Sequence, residues 1–426
     1  MKIQKILKRL LQLHPKSIDL SLDRIKRLLK DLNNPEKKIK NAIQVIGTNG
    51  KYSFCSTLRE IFETADYTVN MNISPSLRKF NERYYLAGKY ISDDQLHDLL
   101  IEVEKINHGQ SITFHEFVCA CYFLAASRNK SDINILESGL FFRLDASNVL
   151  EKNISSVVMP IGIDHKDFLK EGTIDEIVYE KCSHLLGGSK IVISEQKNNI
   201  LEKIKRNIAN NSSDKFIFGE NYDYKKNTKG FIYKDKLGKM NLPLPNLLGD
   251  FQISNVSTAI AVSRNLDQFN ITEPHIRKAI TKIKSEGRLQ HISQGKLRKY
   301  VSKSNEILID GAHNLLAAFE IKKYLETLDT RRKIFMVLGM MVNKEHKEFI
   351  QIFKDRVESI ITVDIPNQIN FIQKEKLSKI AQSCGISSKT EDSIVGALKN
   401  IANENENAII FCTGSLYLVG EILNLN

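Results

Sequence analysis

The sequence predicts a two-domain α/β protein: a large domain on a mainly parallel sheet with a β-rich insertion, then a smaller α/β domain. Three observations predict it. Short apolar, β-branched runs alternate with helix-length segments from Ala42 to Ser194, and strands separated by helices imply parallel pairing covered on both faces. Between Lys215 and Leu247 that rhythm gives way to short strands and turns rich in Gly and Lys. It resumes after residue 305.

Taken in order, Ala42–Ile46 is an apolar strand ending at a glycine turn, and Ile133–Leu136, Val157–Ile161 and Lys190–Ser194 are further strands. Phe54–Thr64, His115–Ala126 and Ile174–Leu186 read as the helices between them, and Phe251–Asn265 as a helix after the insertion. Later strands are expected at Glu306–Ile309, Ile334–Leu338, Ser359–Val363 and Ala408–Cys412, a Rossmann-like alternation. The polar stretch Ser285–Lys299 is the best linker, which sets the expected domains at 1–287 and 288–426. No internal repeat or low-complexity segment is visible.

Composition narrows the class. The 426 residues suit two or three domains with a large core. The longest apolar run, Phe117–Ala126, is about half a membrane span, and the first residues mix Lys and Arg into Leu and Ile without a signal-peptide core. A cytoplasmic protein without a membrane partner is expected. The six cysteines form no CxxC pair and do not cluster with His, so neither a disulfide framework nor a zinc site is indicated. The net charge of +12 is diffuse and mostly offset by nearby acids. No aromatic-interleaved basic strip accompanies it, so a nucleic-acid partner is not expected.

The strongest local signal follows the first strand: Gly47-Thr48-Asn49-Gly50-Lys51-Tyr52-Ser53, then a helix. Glycines let the backbone turn tightly, a helix N-terminus adds its dipole, and Lys51 supplies a point charge for phosphate. Ser53 offers a hydroxyl to a magnesium ion. The spacing is shorter than the commonest phosphate-loop pattern, yet the layout is that of a P-loop-type domain.

The chain resembles the Mur-ligase superfamily, and within it the folylpolyglutamate synthase/dihydrofolate synthase branch. Ten segments carry the resemblance in the family's order: the loop, SPSLRKFNERY, TFHEFVCACYF, ILESGLFFRLDASNV, IGIDHKDFL, EKCS, LLGDFQISNVSTA, EGRLQ, DGAHN and TGSLYLVGEIL. The resemblance implies an ATP-dependent amide ligase of folate biosynthesis and one-carbon metabolism, adding L-glutamate to dihydropteroate or a (tetrahydro)folate through an acyl phosphate. It further implies ATP and Mg2+ as cofactors, with Gly47–Ser53, Asn255, Arg288 and Asp310 contacting nucleotide. Ser74, Glu137 and His165 become metal ligands, joined by Lys181 as a carbamate. Lys51, Lys181 and His313 become the catalytic set, and Thr113, Phe114, Glu116, Arg143, Asp145 and Ala146 the contacts to the pterin-bearing acceptor. Small-molecule partners and a monomer are expected.

Read without the family, these residues have plainer roles. Glu137 stands at the C-terminal end of a strand, where α/β folds place ligands, but a lone carboxylate there is as often solvated. His165 reads as a turn residue, Lys181 as a helix lysine beside Glu176 and Glu180, Asn255 as a helix surface residue and Phe114 as helix core. Arg288 reads as a linker charge and Asp310 as a turn former. An arginine at a domain boundary that reaches phosphate would couple binding to closure.

The sequence departs from the family in places: Tyr52 stands where this branch has Gly, Phe141-Phe142 replaces Gly-Gly, and Ser76 replaces His. Asn343 replaces Asp, and Cys182-Ser183 replaces Ala-Gly. Two rings at 141 and 142 are expected to narrow or reshape the acceptor pocket. That keeps two alternatives in view, a Mur-type ligase acting on a different carboxylate and a drifted member of low activity. A nucleic-acid-stimulated ATPase ranks below both.

Overall fold

The computed structural model describes residues 2–14, 16 and 19–426. The chain forms two compact units, neither continuous in sequence. The first is made of the stretch ending at Ile161, Glu171–Asn246 and Ile253–Ile283; the second of Gly162–Lys170, Leu247–Gln252 and Lys284–Asn426.

The first unit is built on an eight-stranded sheet. Its strands are β1 (Ala42–Ile46), β2 (Val69–Asn72), β3 (Tyr84–Leu86), β4 (Lys89–Tyr90), β5 (Ile133–Glu137), β6 (Ser155–Val158), β7 (Lys190–Ile193) and β8 (Asp214–Ile217). The order is β4-β3-β2-β5-β1-β6-β7-β8, with β3 alone running against the other strands. β1 and β5 are buried at every position, as expected of strands covered on both faces. Gln44, the one polar residue of β1, donates to Ser147 O at 3.1 Å and accepts from Asn153 at 2.8 Å. The chain leaves β1 towards β2 and β5 and returns on its other side through β6 to β8. The loop after β1 therefore lies where strand order reverses, the usual ligand crevice of open α/β sheets.

The β-rich insertion is a three-stranded antiparallel sheet, β9 (Tyr222–Lys226), β10 (Gly230–Asp235) and β11 (Gly238–Pro243). Arg264 pins it by donating to Asp235 at 2.7 Å, and the Tyr222 hydroxyl reaches Thr258 and Ile193 O. Lys215 and its neighbours, expected inside this insertion, instead form β8 on the edge of the large sheet.

The second unit carries a six-stranded sheet in the order β12-β13-β17-β14-β15-β16. These are β12 (Gln290–His291), β13 (Glu306–Ile309), β14 (Ile334–Leu338), β15 (Ser359–Thr362), β16 (Ser387–Thr390) and β17 (Ile409–Thr413). Only β12 runs antiparallel. The stretch expected to be a linker is thus partly ordered: Gln290 and His291 pair with β13, and Leu289, Ile292 and Leu297 are buried. Three apolar side chains spaced through polar sequence hold it down. All six cysteines are buried and unpaired. Among the described residues no helix is long and apolar enough to cross a membrane.

Candidate active site

In the first unit β1 runs into a loop whose backbone only glycine adopts easily: Gly47 has φ +147° and Gly50 φ +80°. A Cβ on Gly50 would meet Asn255 Oδ1 at 2.5 Å, and one on Gly47 would lie 2.7 Å from the Met159 side chain. Gly50 also opens the helix Lys51–Thr64, which buries Ser53 in its first turn. Thr48 and Asn49 donate their amides to Pro160 O at 2.9 and 3.2 Å. The loop is thereby wedged between β1, the Met159–Pro160 turn and buried Asn255.

Lys51 folds over this loop. Its Nζ donates to Gly47 O at 3.1 Å and Thr48 O at 3.3 Å, and lies 3.9 Å from Glu137 Oε1. Glu137, at the end of β5, accepts from the Ser74 amide at 3.1 Å. The Ser74 hydroxyl accepts from Arg83 at 3.3 Å. Lys181, buried on the helix Ile174–Cys182, donates to Gly47 O at 3.0 Å and Leu140 O at 2.8 Å, and stands 5.3 Å from the Phe141 ring. Lys51, Ser74, Glu137, Lys181 and Asn255 therefore gather around one loop.

Among the described residues no three His, Cys, Asp or Glu side chains converge as a metal cage. The oxygen donors Glu137 and Ser74 suit a hard cation that keeps water and phosphate as its other ligands.

Alanine at Gly50 is expected to cost about 1–2 kcal/mol from the left-handed backbone alone. The clash with Asn255 should weaken ADP binding as well. Gly88, at φ +89° with open space around it, supplies the control: Gly88→Ala should lower the melting temperature and leave calorimetric ADP binding unchanged.

The expected acceptor residues lie on two segments. Thr113 caps the helix Phe114–Arg128, accepting from the Glu116 amide, while Glu116 Oε2 accepts from Thr113 N at 2.8 Å and Arg24 at 2.9 Å. Asp145 holds the 138–147 loop: Oδ2 takes the amides of Gly139 and Leu140, and Oδ1 the amide and hydroxyl of Ser147. His115 Nε2 lies 3.4 Å from Asp145 Oδ2. Burial favours the neutral acid, but His115 and Ser147 outweigh it and hold the Asp145 carboxyl at about 2. Arg143 pairs with Glu180 at 2.8 Å, and Ala146 is buried.

Because the folded value lies below the ordinary 3.8, this carboxylate adds stability that is present above about pH 4 and fades as the pH falls towards 2. The effect is about 2 kcal/mol. Thermal melts should show wild type losing stability more steeply over that interval than Asp145→Asn.

Phe141 and Phe142 are both buried, at 1% and 0% exposure. The Phe141 ring lies on the side of Lys181 that the Gly47–Ser53 loop also touches.

The second unit holds the other expected residues. Asp310, after β13, accepts from the Leu289 amide at 2.8 Å and the Ala312 amide at 2.7 Å. Burial pushes its carboxyl up against the pull of Arg288. The Arg288 guanidinium donates to Gly287 O at 3.2 Å. His313 meets Gly311 O through Nδ1 at 2.8 Å, and its Nε2 is 3.5 Å from Asp164. Asp164 also accepts from Lys344 at 2.5 Å, Asn314 at 3.0 Å and the His165 amide at 2.9 Å. Burial would raise its carboxyl, but His313, His165 and Lys344 hold it well below the usual carboxylate range. His165 thus belongs with Asp164 and His313 in this unit. Sequence reading missed Asp164, which lies within IGIDHKDFL, and Lys344, which follows Asn343.

Residues 293–425 match the family model of the dihydrofolate synthetase C-terminal domain. The bifunctional dihydrofolate synthase/folylpolyglutamate synthase of Bacillus subtilis is 27% identical over 94% of both chains. The probable dihydrofolate synthetase of Schizosaccharomyces pombe is 25% identical over 95% of this chain and 98% of its own. Along nearly its whole length the chain is similar to dihydrofolate synthases and folylpolyglutamate synthases. Escherichia coli FolC in complex with DHPP and ADP superposes with a TM-score of 0.87 at 24% identity, covering 99% of this chain and 97% of that one. Mycobacterium tuberculosis folylpolyglutamate synthase, solved with ADP and AMPPCP, gives 0.86 at 22% identity over 100% and 99%. At those identities the likeness shows the two-domain α/β fold.

Proposed function

We propose that this protein is an ATP-dependent carbon–nitrogen ligase that joins L-glutamate to dihydropteroate, a (tetrahydro)folate or both. The observation that carries this reading is Lys51, held over the Gly47–Ser53 loop by Gly47 O and Thr48 O and 3.9 Å from Glu137. In such a reaction the acceptor carboxylate attacks the γ-phosphorus of ATP and ADP leaves. The glutamate amine then attacks the acyl carbon and phosphate leaves. Both steps build negative charge on oxygen, which a preorganised ammonium lowers in energy.

Lys51 would exchange its loop carbonyls for phosphate oxygens, with Tyr52 and Ser53 at the helix start and Asn255 behind the loop completing nucleotide contacts. Ser74 and Glu137 are the proposed holders of a divalent cation in the first unit, which would supply charge neutralisation, and His165 is a proposed metal ligand of the second unit. Arg288 and Asp310 are the proposed nucleotide contacts of the second unit, and His313 its proposed catalytic group. Thr113, Phe114, Glu116, Arg143, Asp145 and Ala146 form the proposed acceptor set. A domain boundary near 287, a cytoplasmic location and a monomeric state belong to the same reading.

Lys181 is proposed to carry a carbamate, which turns a cation into an anion able to serve a second metal ion. Removal of dissolved CO2 should then lower turnover, and a short carboxylate should restore part of the activity of Lys181→Ala. Full activity without CO2 would remove the carbamate from the scheme.

The test of the whole reading is an ADP-release panel with dihydropteroate and tetrahydrofolate, each with and without glutamate. ADP and phosphate should appear only when both partners are present. Turnover independent of acceptor, or none with any folate, would overturn it.

A further inference from the structure

Away from the phosphate loop, the first unit holds a cavity of about 270 Å3. Its walls are the β3–β4 hairpin, the helix Asp93–Asn107 and the last turn of the helix Phe114–Arg128. β4 is the fourth strand from β1 in the sheet order, a separation of about 19 Å. Arg128 stands at the opposite end of its helix from Phe114, about 21 Å along the axis. The cavity is therefore distinct from the proposed nucleotide, metal and acceptor residues of this unit.

Its floor is aliphatic: Leu86, Ile91, Leu99 and Ala125 are all buried. At the mouth, Arg128 and Glu102 satisfy each other through two hydrogen bonds of 2.7 and 2.6 Å. Lys89 is exposed and makes no ion pair among the described residues. The Asp98 side chain is 83% exposed and meets only His97, at 3.1 Å. The turn Ala87-Gly88, with φ +46° and +89°, closes a tight hairpin and sets Lys89 opposite Leu86. Directly opposed residues share one face of a sheet, so the Lys89 stem leaves on the side of the aliphatic floor.

We propose that this cavity is a second small-molecule site, for a zwitterionic α-amino acid with an apolar side chain. An apolar floor with one unmatched cation and one nearly unmatched anion at its rim complements a molecule that carries both charges beside an apolar body. Lys89 donates to the carboxylate, Asp98 accepts from the ammonium, and the side chain displaces water from Leu86, Ile91, Leu99 and Ala125. The volume suits one molecule of that size, just below the roughly 300–1,000 Å3 of sites for larger ligands. Glutamate is disfavoured, because its side-chain carboxylate would lie against the aliphatic floor.

The test is a saturation-transfer NMR titration of the full chain with L-phenylalanine, with and without saturating ADP. Wild type should bind it with a Kd on the order of 1 mM, unchanged by ADP. 3-Phenylpropionate, which lacks the ammonium, and 2-phenylethylamine, which lacks the carboxylate, should each bind several-fold more weakly, as should L-glutamate. Lys89→Glu should weaken L-phenylalanine about tenfold and Asp98→Asn about threefold. Both side chains are exposed, so thermal melts of the variants should match wild type. No saturable binding to wild type, loss of binding when ADP is added, or an affinity within twofold of wild type in Lys89→Glu overturns the site. Equal binding of 3-phenylpropionate or L-glutamate overturns the choice of ligand. The readout is binding alone, so it stands apart from the outcome of the ADP-release panel.

Discussion

Replacing Lys51 by alanine should lower glutamate-dependent ADP release about a thousandfold, the scale lost when a group aimed at transition-state charge is removed. The protein should remain folded, because the Lys51 ammonium holds only two carbonyls of its own loop and faces Glu137 across 3.9 Å. Its aliphatic stem supports no buried cluster of its own. Steady-state ADP release, with a thermal melt as the control, checks both halves. A melt unchanged beside lost turnover assigns the effect to chemistry, whereas wild-type turnover would remove Lys51 from the phosphate site.

Glu137→Gln is the second large effect, a drop in turnover on the order of 100-fold. The amide keeps the shape and still accepts from the Ser74 amide, so the end of β5 keeps its position. It loses the charge that draws a divalent cation and the ion pair with Lys51. Raising the magnesium concentration should recover part of the loss, because a weakened site fills by mass action. An activity deficit insensitive to magnesium would assign Glu137 to positioning Lys51 instead. Titration of ADP release against magnesium separates the two.

Much of this architecture was legible before any coordinates. β1, the glycine loop and the helix that follows are local: apolar run, turn residues and helix start sit next to one another in sequence. β13 and β14 have the bounds read from the sequence. β16 was not legible, since Ser, Ser, Lys and Thr lack an apolar face and pair only because β15 offers an open edge. The ordered part of the supposed linker was hidden for the opposite reason, as Leu289, Ile292 and Leu297 are too sparse to set a period.

In the site, Glu137 could be read from its place at a strand end. Asp164 and His115 could not, because their importance comes from partners far away in sequence: Lys344 for one, Asp145 for the other. Phe141 and Phe142 are buried, a placement that a comparison of residue types does not give.

The discontinuous threading of the two units has a practical consequence for dissecting the molecule. A fragment beginning at Lys284 holds all six strands of the second sheet but lacks Gly162–Lys170 and Leu247–Gln252. It is therefore missing Asp164, the one carboxylate that both His313 and Lys344 grip. Cut there, the piece would carry His313 and Lys344 with their shared anchor amputated. A faithful excision of the second half needs both missing stretches spliced back, or the whole polypeptide.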